Sequence, residues 1–172
     1  MPGSSDVRQL LSILDQAYNR RSWHGTNLRG SLRGVTVGEA CWRPGTGRHN
    51  IWELVVHAAY WKYTVWRRLA GVRRGAFPLE GSDWFERPQE ASEKAWRADV
   101  ALLERMHRSL REVVEALPSV DLAMTHGGRQ VTAAFLVSGV AAHDLYHAGQ
   151  IQLLKKLRPG GARGSRRRAS RA

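Results

Sequence analysis

Apolar side chains recur at helical spacing in four long segments of this chain. The segments cover residues 6–23, 51–69, 92–117 and 132–157. Within each one, apolar residues three and four positions apart share one face of an α-helix and can bury that face against neighbouring helices. No run of alternating apolar and polar residues favours a β-strand. The pattern therefore predicts an all-α protein.

Start and stop signals agree with these segments. Asn50 followed by Glu53 predicts a capping box, in which each side chain bonds the backbone N–H of the other residue. Thr132 is a predicted N-cap of the last long helix, because its hydroxyl can accept a bond from an unpaired N–H of the first turn. Pro118 closes the third segment, since proline cannot continue a helix.

The connections between the predicted helices are long. Residues 72–89 join the second helix to the third and contain two glycines and two prolines. A connection of that length carries function more often than a tight turn does. Long connections also favour a four-helix bundle with crossovers over a simple up-and-down arrangement. We expect one helical domain over residues 1–158 and a separate tail over residues 159–172.

The chain is strongly basic, with 23 arginines, four lysines and a net charge of +12. Five of the arginines lie in the predicted tail, which contains no acidic residue and has the composition of a disordered segment. A basic chain attracts nucleic acids at long range. The tail lacks the interleaved aromatic residues on which bases stack, however, and the codon bias of a GC-rich gene explains an arginine excess equally well. We therefore rank nucleic-acid association a distant third among the functions considered below.

Cys41 is the single cysteine, which excludes an intramolecular disulfide and argues against a cysteine-based zinc site. The first residues lead into the first helix without the apolar core of a secretory signal. No run of about 18 apolar residues suggests a membrane span. We expect a cytoplasmic protein with no membrane partner.

The strongest chemical signal is the pair His143 and His147 in the fourth helix. Histidines four residues apart share one helix face, with Cβ atoms about 5–6 Å apart, and can bind one metal ion. The alternative is a chance pair on a solvated face. The helix is apolar nearly all round, so an imidazole pair without a shared partner would be costly there, and the sequence favours a metal. Gln150 lies on nearly the same stripe and is expected to line the pocket.

Two histidines are too few for a stable metal site, and His57 is the best third ligand. It lies mid-helix among apolar residues, with Trp61 one turn further along its face as an expected pocket residue. For the other four histidines we favour an exposed or locally hydrogen-bonded side chain. These are His24, His49, His107 and His126; of the four, His107 has arginines on both sides in the sequence.

The chain resembles the DinB-like superfamily, the damage-inducible group also described as metal-dependent hydrolases. The matching segments are Trp23-His24-Gly25, Trp42-Arg43-Pro44, Arg48 to His57 and His143 to Ile151. The resemblance covers roughly residues 6–158 and leaves the tail outside. It implies a four-helix bundle that binds a metal through one histidine of the second helix and two of the fourth. Those positions are His57, His143 and His147 here. It also favours a homodimer.

Three histidines without a carboxylate leave an open coordination position, at which a metal activates water or a thiol. Zinc, nickel and iron all suit imidazole ligands. The resemblance implies a thiol-dependent transferase, with a low-molecular-weight thiol as partner, or a hydrolase. A metal-stabilised protein that binds a small ligand without turnover is the alternative. Asp144 is a weak candidate for a catalytic base, because at the position after His143 it points about 100° away, and Tyr146 is a further pocket candidate.

Overall fold

Six α-helices and one short 3₁₀ helix form the described part of the chain, which in this computed structural model comprises residues 5–123 and 131–160. These residues contain no β-strand, as the sequence predicts. The α-helices are α1 (Ser5–Tyr18), α2 (Leu28–Ser31), α3 (Val37–Cys41), α4 (Ile51–Leu69), α5 (Glu93–Glu115) and α6 (Ala133–Leu157). The 3₁₀ helix (Ser119–Ala123) follows α5.

The capping residues predicted for α4 and α6 are confirmed. Oδ1 of Asn50 accepts a hydrogen bond from the backbone N–H of Glu53 at 2.8 Å, and the Glu53 carboxylate accepts one from the N–H of Asn50 at 3.2 Å. Oγ1 of Thr132 accepts from the N–H of Phe135 at 3.1 Å. These bonds satisfy N–H groups that have no partner within the helix. They fix where the helices that carry the candidate ligands begin.

The predicted end of the first helix is wrong. The helix stops at Tyr18, whereas its predicted end was Trp23. Four polar residues, Asn19 to Ser22, separate these two aromatic residues, so the buried face of the helix has no apolar side chain to continue it. Trp23 is fully exposed and cannot anchor a further turn.

The four long helices form a bundle. α4 packs against α5 and α6, and α1 packs against the same two helices from the opposite side. α1 and α4 therefore lie diagonally across the bundle, as do α5 and α6. The chain therefore crosses the bundle between α1 and α4 and between α5 and α6, whereas the long connection from α4 to α5 joins two helices that pack against each other. The bundle and its crossovers agree with the predicted fold class.

The connection between α4 and α5 is fixed to the bundle by aromatic residues. Phe77 and Phe85 are buried and belong to the same core cluster as Tyr63 of α4. Two buried rings within one connection hold its middle section against α4. None of the helices in the described ranges is long and apolar enough to cross a membrane. The tail predicted to be disordered lies outside the described residues beyond Gly160.

Candidate metal centre

Three histidines from two helices meet at the interface of α4 and α6. Nε2 of His143 lies 3.1 Å from Nε2 of His57 and 2.9 Å from Nε2 of His147. One ring nitrogen from each of the three residues lies within 4.8 Å of the other two. Adjacent ligands of a tetrahedral ion with bonds of about 2.0–2.1 Å are about 3.3 Å apart. The three side chains therefore form a cluster that can hold one metal ion.

The outer nitrogens of two of these rings have hydrogen-bond acceptors. Nδ1 of His57 donates to the main-chain oxygen of Asp83 at 2.8 Å, and Nδ1 of His147 donates to Oε1 of Gln150 at 2.6 Å. Both acceptors select the tautomer that carries its proton on Nδ1, so the lone pair of each Nε2 points toward His143. A single proton on Nε2 of His143 can satisfy only one of them. The cluster is thus rich in lone pairs, and a cation at its centre would satisfy them.

Burial keeps the three imidazoles neutral. It lowers the pKa of His143 to about 3 and that of His147 to about 4, and it also lowers the pKa of His57. For His143, repulsion from the other two histidines acts in the same direction. Neutral imidazole is the form that binds a metal ion. The cluster is therefore in its ligating form at neutral pH.

Asp83, in the connection between α4 and α5, holds the outer side of His57. Its carboxylate accepts a hydrogen bond from Nε1 of Trp61 at 2.9 Å and lies 3.3 Å from Nδ1 of His57. Asp83 has a φ of +63°, a left-handed conformation that costs free energy for residues other than glycine. The backbone is therefore held in a strained form that aims the Asp83 carbonyl at the ring of His57.

Trp84 lies between two histidine rings. Its ring is stacked 3.8 Å from that of His57 and 3.6 Å from that of His49, with interplanar angles of 8° and 6°. Nδ1 of His49 is 3.1 Å from the Glu53 carboxylate, which also accepts hydrogen bonds from Arg43. Stacking on Trp84 therefore restrains the orientation of the His57 ring.

A cavity of about 500 Å³ opens beside the three histidines. Its wall is mostly apolar and comes from α4, α6 and the connection between α4 and α5. The lining residues are His57, Trp61, Val65, Arg68, Asp83, Trp84, Phe135, Leu136, Gly139, Val140, His143, Tyr146 and His147. An apolar cavity with a few polar groups at one end is the usual form of a small-molecule site.

Residues 20–151 match the family model of the DinB superfamily. The chain belongs to the DinB superfamily. No curated protein and no solved structure gives a significant match. The matched range contains His57, His143 and His147, so the cluster lies within the part of the chain that defines membership.

The further site residues predicted for this DinB-superfamily chain fall in different places. Trp61 and Tyr146 line the cavity, Tyr146 with an exposed fraction of 64%. Gln150 is not part of the lining and instead contacts the outer nitrogen of His147. Asp144 does not line the cavity either: it is fully buried and forms an ion pair with Lys62 in the bundle.

The prediction for His107 is wrong. This side chain is 4% exposed and stacks on the ring of Tyr18, with ring centroids 3.7 Å apart. His49 makes the local hydrogen bond expected of it, and His24 is exposed. His126 lies outside the described residues. The arginines that flank His107 face solvent while its own ring faces α1, and the sequence alone does not show where α1 packs.

Asp83 and Trp84 are the site residues that sequence analysis missed. Both lie in an irregular segment, where no periodicity indicates which side chains point inward. The length of the connection was the available signal, and it identified the segment without identifying the two residues.

Proposed function

We propose that this DinB-superfamily protein is a metal-dependent enzyme that binds one divalent transition metal ion, zinc, nickel or iron, through His57, His143 and His147. The observation that carries the proposal is the convergence of three neutral imidazoles, two of them buried and one partly buried, with more Nε2 lone pairs than the cluster has protons to satisfy. Asp83 and Gln150 hold two of the rings by their outer nitrogens, an arrangement typical of metal-binding histidines.

The chemistry at the site would be thiol transfer or hydrolysis. A metal held by neutral imidazoles is a Lewis acid that lowers the pKa of a water or thiol completing its coordination. All three histidines line the cavity, so a substrate there would have access to the ion. Three protein ligands leave room for such a group, as in catalytic rather than structural sites.

Within the described lining, the available acid–base groups favour thiol transfer over hydrolysis. Asp83 is the one carboxylate of the lining, and it is already engaged by Trp61 and His57. Asp144, the weak candidate for a catalytic base, is paired with Lys62 away from the cavity. Hydrolysis gains from a general base that deprotonates water. A thiol, with a pKa about seven units below that of water, can be ionised by the metal without such a base.

Elemental analysis of protein purified without a metal-affinity step tests the proposal. We expect about one equivalent of a transition metal in the wild type and little in His57→Ala or His143→Ala. His24→Ala is the matched control, because His24 is exposed and does not line the cavity beside the cluster. Thiol transfer to a soluble electrophile should require the metal and be lost in His57→Ala. Wild-type protein without bound metal, even after incubation with zinc, nickel or iron salts, would refute the central claim.

The second candidate function is a metal-stabilised protein that binds a small molecule without turnover. The apolar lining of the cavity favours it, because apolar walls bind ligands but carry no chemistry. It predicts that chelation lowers the melting temperature while no thiol or ester is consumed. Measured turnover that disappears on chelation would exclude it. The arginine-rich tail, which a nucleic-acid function would use, lies outside the described residues.

The same proposal includes a homodimer formed through the outer face of α6. Large residues of this face are exposed: Phe135 by 65%, Tyr146 by 64% and Leu153 by 55%. No exposed residue between Phe135 and Leu153 is charged. The stripe reads Phe135, Gly139, Ala142, Tyr146, Gly149 and Leu153, at alternating spacings of four and three.

These positions are symmetric about residue 144, so the stripe matches itself when a second copy lies antiparallel. Gly139 then faces Gly149 of the partner subunit, and Tyr146 faces Ala142 of the partner subunit. A self-complementary patch is what a two-fold dimer requires. Light scattering after gel filtration should give the mass of two chains for the wild type and of one chain for Ala142→Glu, with Ala142→Ser as control. A monomeric wild type at micromolar concentration would contradict the dimer.

A further inference from the structure

The cavity beside the histidines is a groove that follows α4 for three helical turns. His57, Trp61, Val65 and Arg68 line it from α4, at spacings of four, four and three residues that keep all of them on one face. At a rise of 1.5 Å per residue, the eleven steps from His57 to Arg68 span about 16 Å between Cα atoms. The groove therefore has a histidine end and an arginine end.

Arg68 supplies a positive charge at its end of the groove. The side chain is partly buried, and no carboxylate within residues 5–123 and 131–160 lies within 4.0 Å of its guanidinium. The carboxylate of Asp83 lies at the other end, where Trp61 and His57 engage it. A partly desolvated guanidinium gains free energy when a carboxylate accepts its paired N–H groups.

Apolar side chains separate the two ends. Val65 of α4 faces the groove between them, and the α6 wall contributes Phe135, Leu136 and Val140. These residues offer no hydrogen bond to a polar substrate, so the middle section suits methylene groups or an aromatic ring. Along the groove, the histidine cluster is therefore followed by an apolar wall and then by the guanidinium of Arg68.

We propose that the groove binds an elongated organic acid, with its reactive group at the histidines, an apolar body along Val65 and Val140, and a carboxylate on Arg68. One guanidinium carries one positive charge, which matches a carboxylate monoanion better than a phosphate dianion. This substrate class rests on the proposed function for its reactive end, where a thiol would meet the metal. The assignment of the ligand's carboxylate rests on Arg68 and does not require the metal.

The helix dipole is the competing explanation for Arg68, because cations are favourable in the last turn of a helix. Arg67 provides the matched control. It lies in the same last turn of α4 and carries the same charge, but it lines a different cavity together with Glu80. If Arg68 served only the helix dipole, replacing Arg67 or Arg68 would have the same effect on ligand binding. If Arg68 binds a ligand in the groove, only its replacement would weaken binding.

Binding of mercaptohexanoate and mercaptooctanoate to the metal-loaded protein, compared with the mercaptoalcohols of equal length, tests the proposal by calorimetry. For the better-fitting length, we expect the wild type to bind the acid roughly tenfold or more tightly than the alcohol, as a charge-assisted hydrogen bond provides. Arg68→Gln should bring this ratio close to one, while Arg67→Gln should keep it. Equal binding of acid and alcohol by the wild type would overturn the proposal, and so would an unchanged ratio in Arg68→Gln.

A second pair of probes separates this proposal from the proposed metal function. Octanoate and octanol carry no thiol and report on the arginine end in chelator-treated protein. Preference for octanoate that is lost in Arg68→Gln supports the groove assignment even if the histidines hold no metal. Metal-dependent thiol binding without any preference for the acid would leave the enzyme proposal standing and refute the substrate class.

Discussion

Nζ of Lys62 lies 2.5 Å from Oδ2 of Asp144, which makes a fully buried ion pair between α4 and α6. Nδ1 of His107 is 3.4 Å from the same Nζ, and the ring centroid of Tyr18 is 4.9 Å from it. Burial lowers the pKa of Lys62 and raises that of Asp144, while the attraction between the two charges opposes both shifts. Asp144 follows His143 directly, so the pair fixes α6 against α4 beside the candidate metal centre.

Lys62→Met should destabilise the protein strongly, because it leaves the carboxylate of Asp144 buried without its partner. Breaking a buried ion pair in this way costs about 3–5 kcal/mol of unfolding free energy. The double variant Lys62→Met with Asp144→Leu should recover most of that loss, since neither charge then remains buried. Urea denaturation of the wild type, the two single variants and the double variant measures the coupling. Additive losses would show that the two side chains do not act as a pair.

Gln150→Leu should weaken metal binding by about 10- to 100-fold, the usual effect of losing the residue that orients a metal-binding histidine. The variant removes the acceptor 2.6 Å from Nδ1 of His147 and leaves all three candidate ligands in place. Competition with a chromogenic chelator gives the zinc affinity. Gln152→Leu, two residues further along α6, is the control and should keep wild-type affinity. Equal zinc affinities in the two variants would show that Gln150 does not orient His147 for metal binding.

The helices and the three candidate ligands were predictable because each signal lies within a single helix. Asn50, Glu53 and Thr132 cap helices through residues three positions away, and such bonds depend little on the rest of the fold. His143 and His147 share a helix face by spacing alone. His57 is a polar residue within an apolar stretch of one helix, and this pattern is visible in the sequence without knowledge of the packing.

The rest of the site depends on contacts between distant segments. Trp84 stacks on His57, 27 residues earlier in the chain, only because buried aromatic residues fix an irregular connection against α4. Lys62 looks like a solvent-exposed charge in the sequence, yet its partner Asp144 lies 82 residues away on another helix. Neither helical periodicity nor spacing encodes such pairings.

Two substitutions of Asp83 distinguish the role of its backbone conformation from the role of its carboxylate. Asp83→Gly and Asp83→Ala both lose the carboxylate that accepts from Trp61, but both keep the main-chain oxygen that faces His57. A φ of +63° costs alanine about 1–2 kcal/mol of steric strain that glycine avoids, which exceeds the extra backbone entropy of about 0.5–1 kcal/mol that glycine loses on folding. We therefore expect the glycine variant to have the higher unfolding free energy in urea, with metal content near wild type in both. Equal stabilities would mean that the strain at Asp83 is relieved by other shifts.

His107 should make the protein less stable as the pH falls. Burial, with repulsion from Lys62 and Arg111, lowers its pKa from 6.5 to about 2. Between these two values the unfolded chain binds a proton that the folded chain does not. The unfolding free energy therefore decreases as the pH drops below 6.5, by about 1.4 kcal/mol for each pH unit.

His107→Phe isolates this contribution, because phenylalanine keeps a ring against Tyr18 and cannot titrate. The other histidines and the carboxylates titrate in both proteins, so their contributions largely cancel in the difference. Unfolding free energies measured in urea from pH 7 to pH 4 should fall less steeply for the variant, by about 1.4 kcal/mol for each pH unit. Parallel curves for the two proteins would mean that His107 takes up its proton in the folded state, with its ring accessible to water.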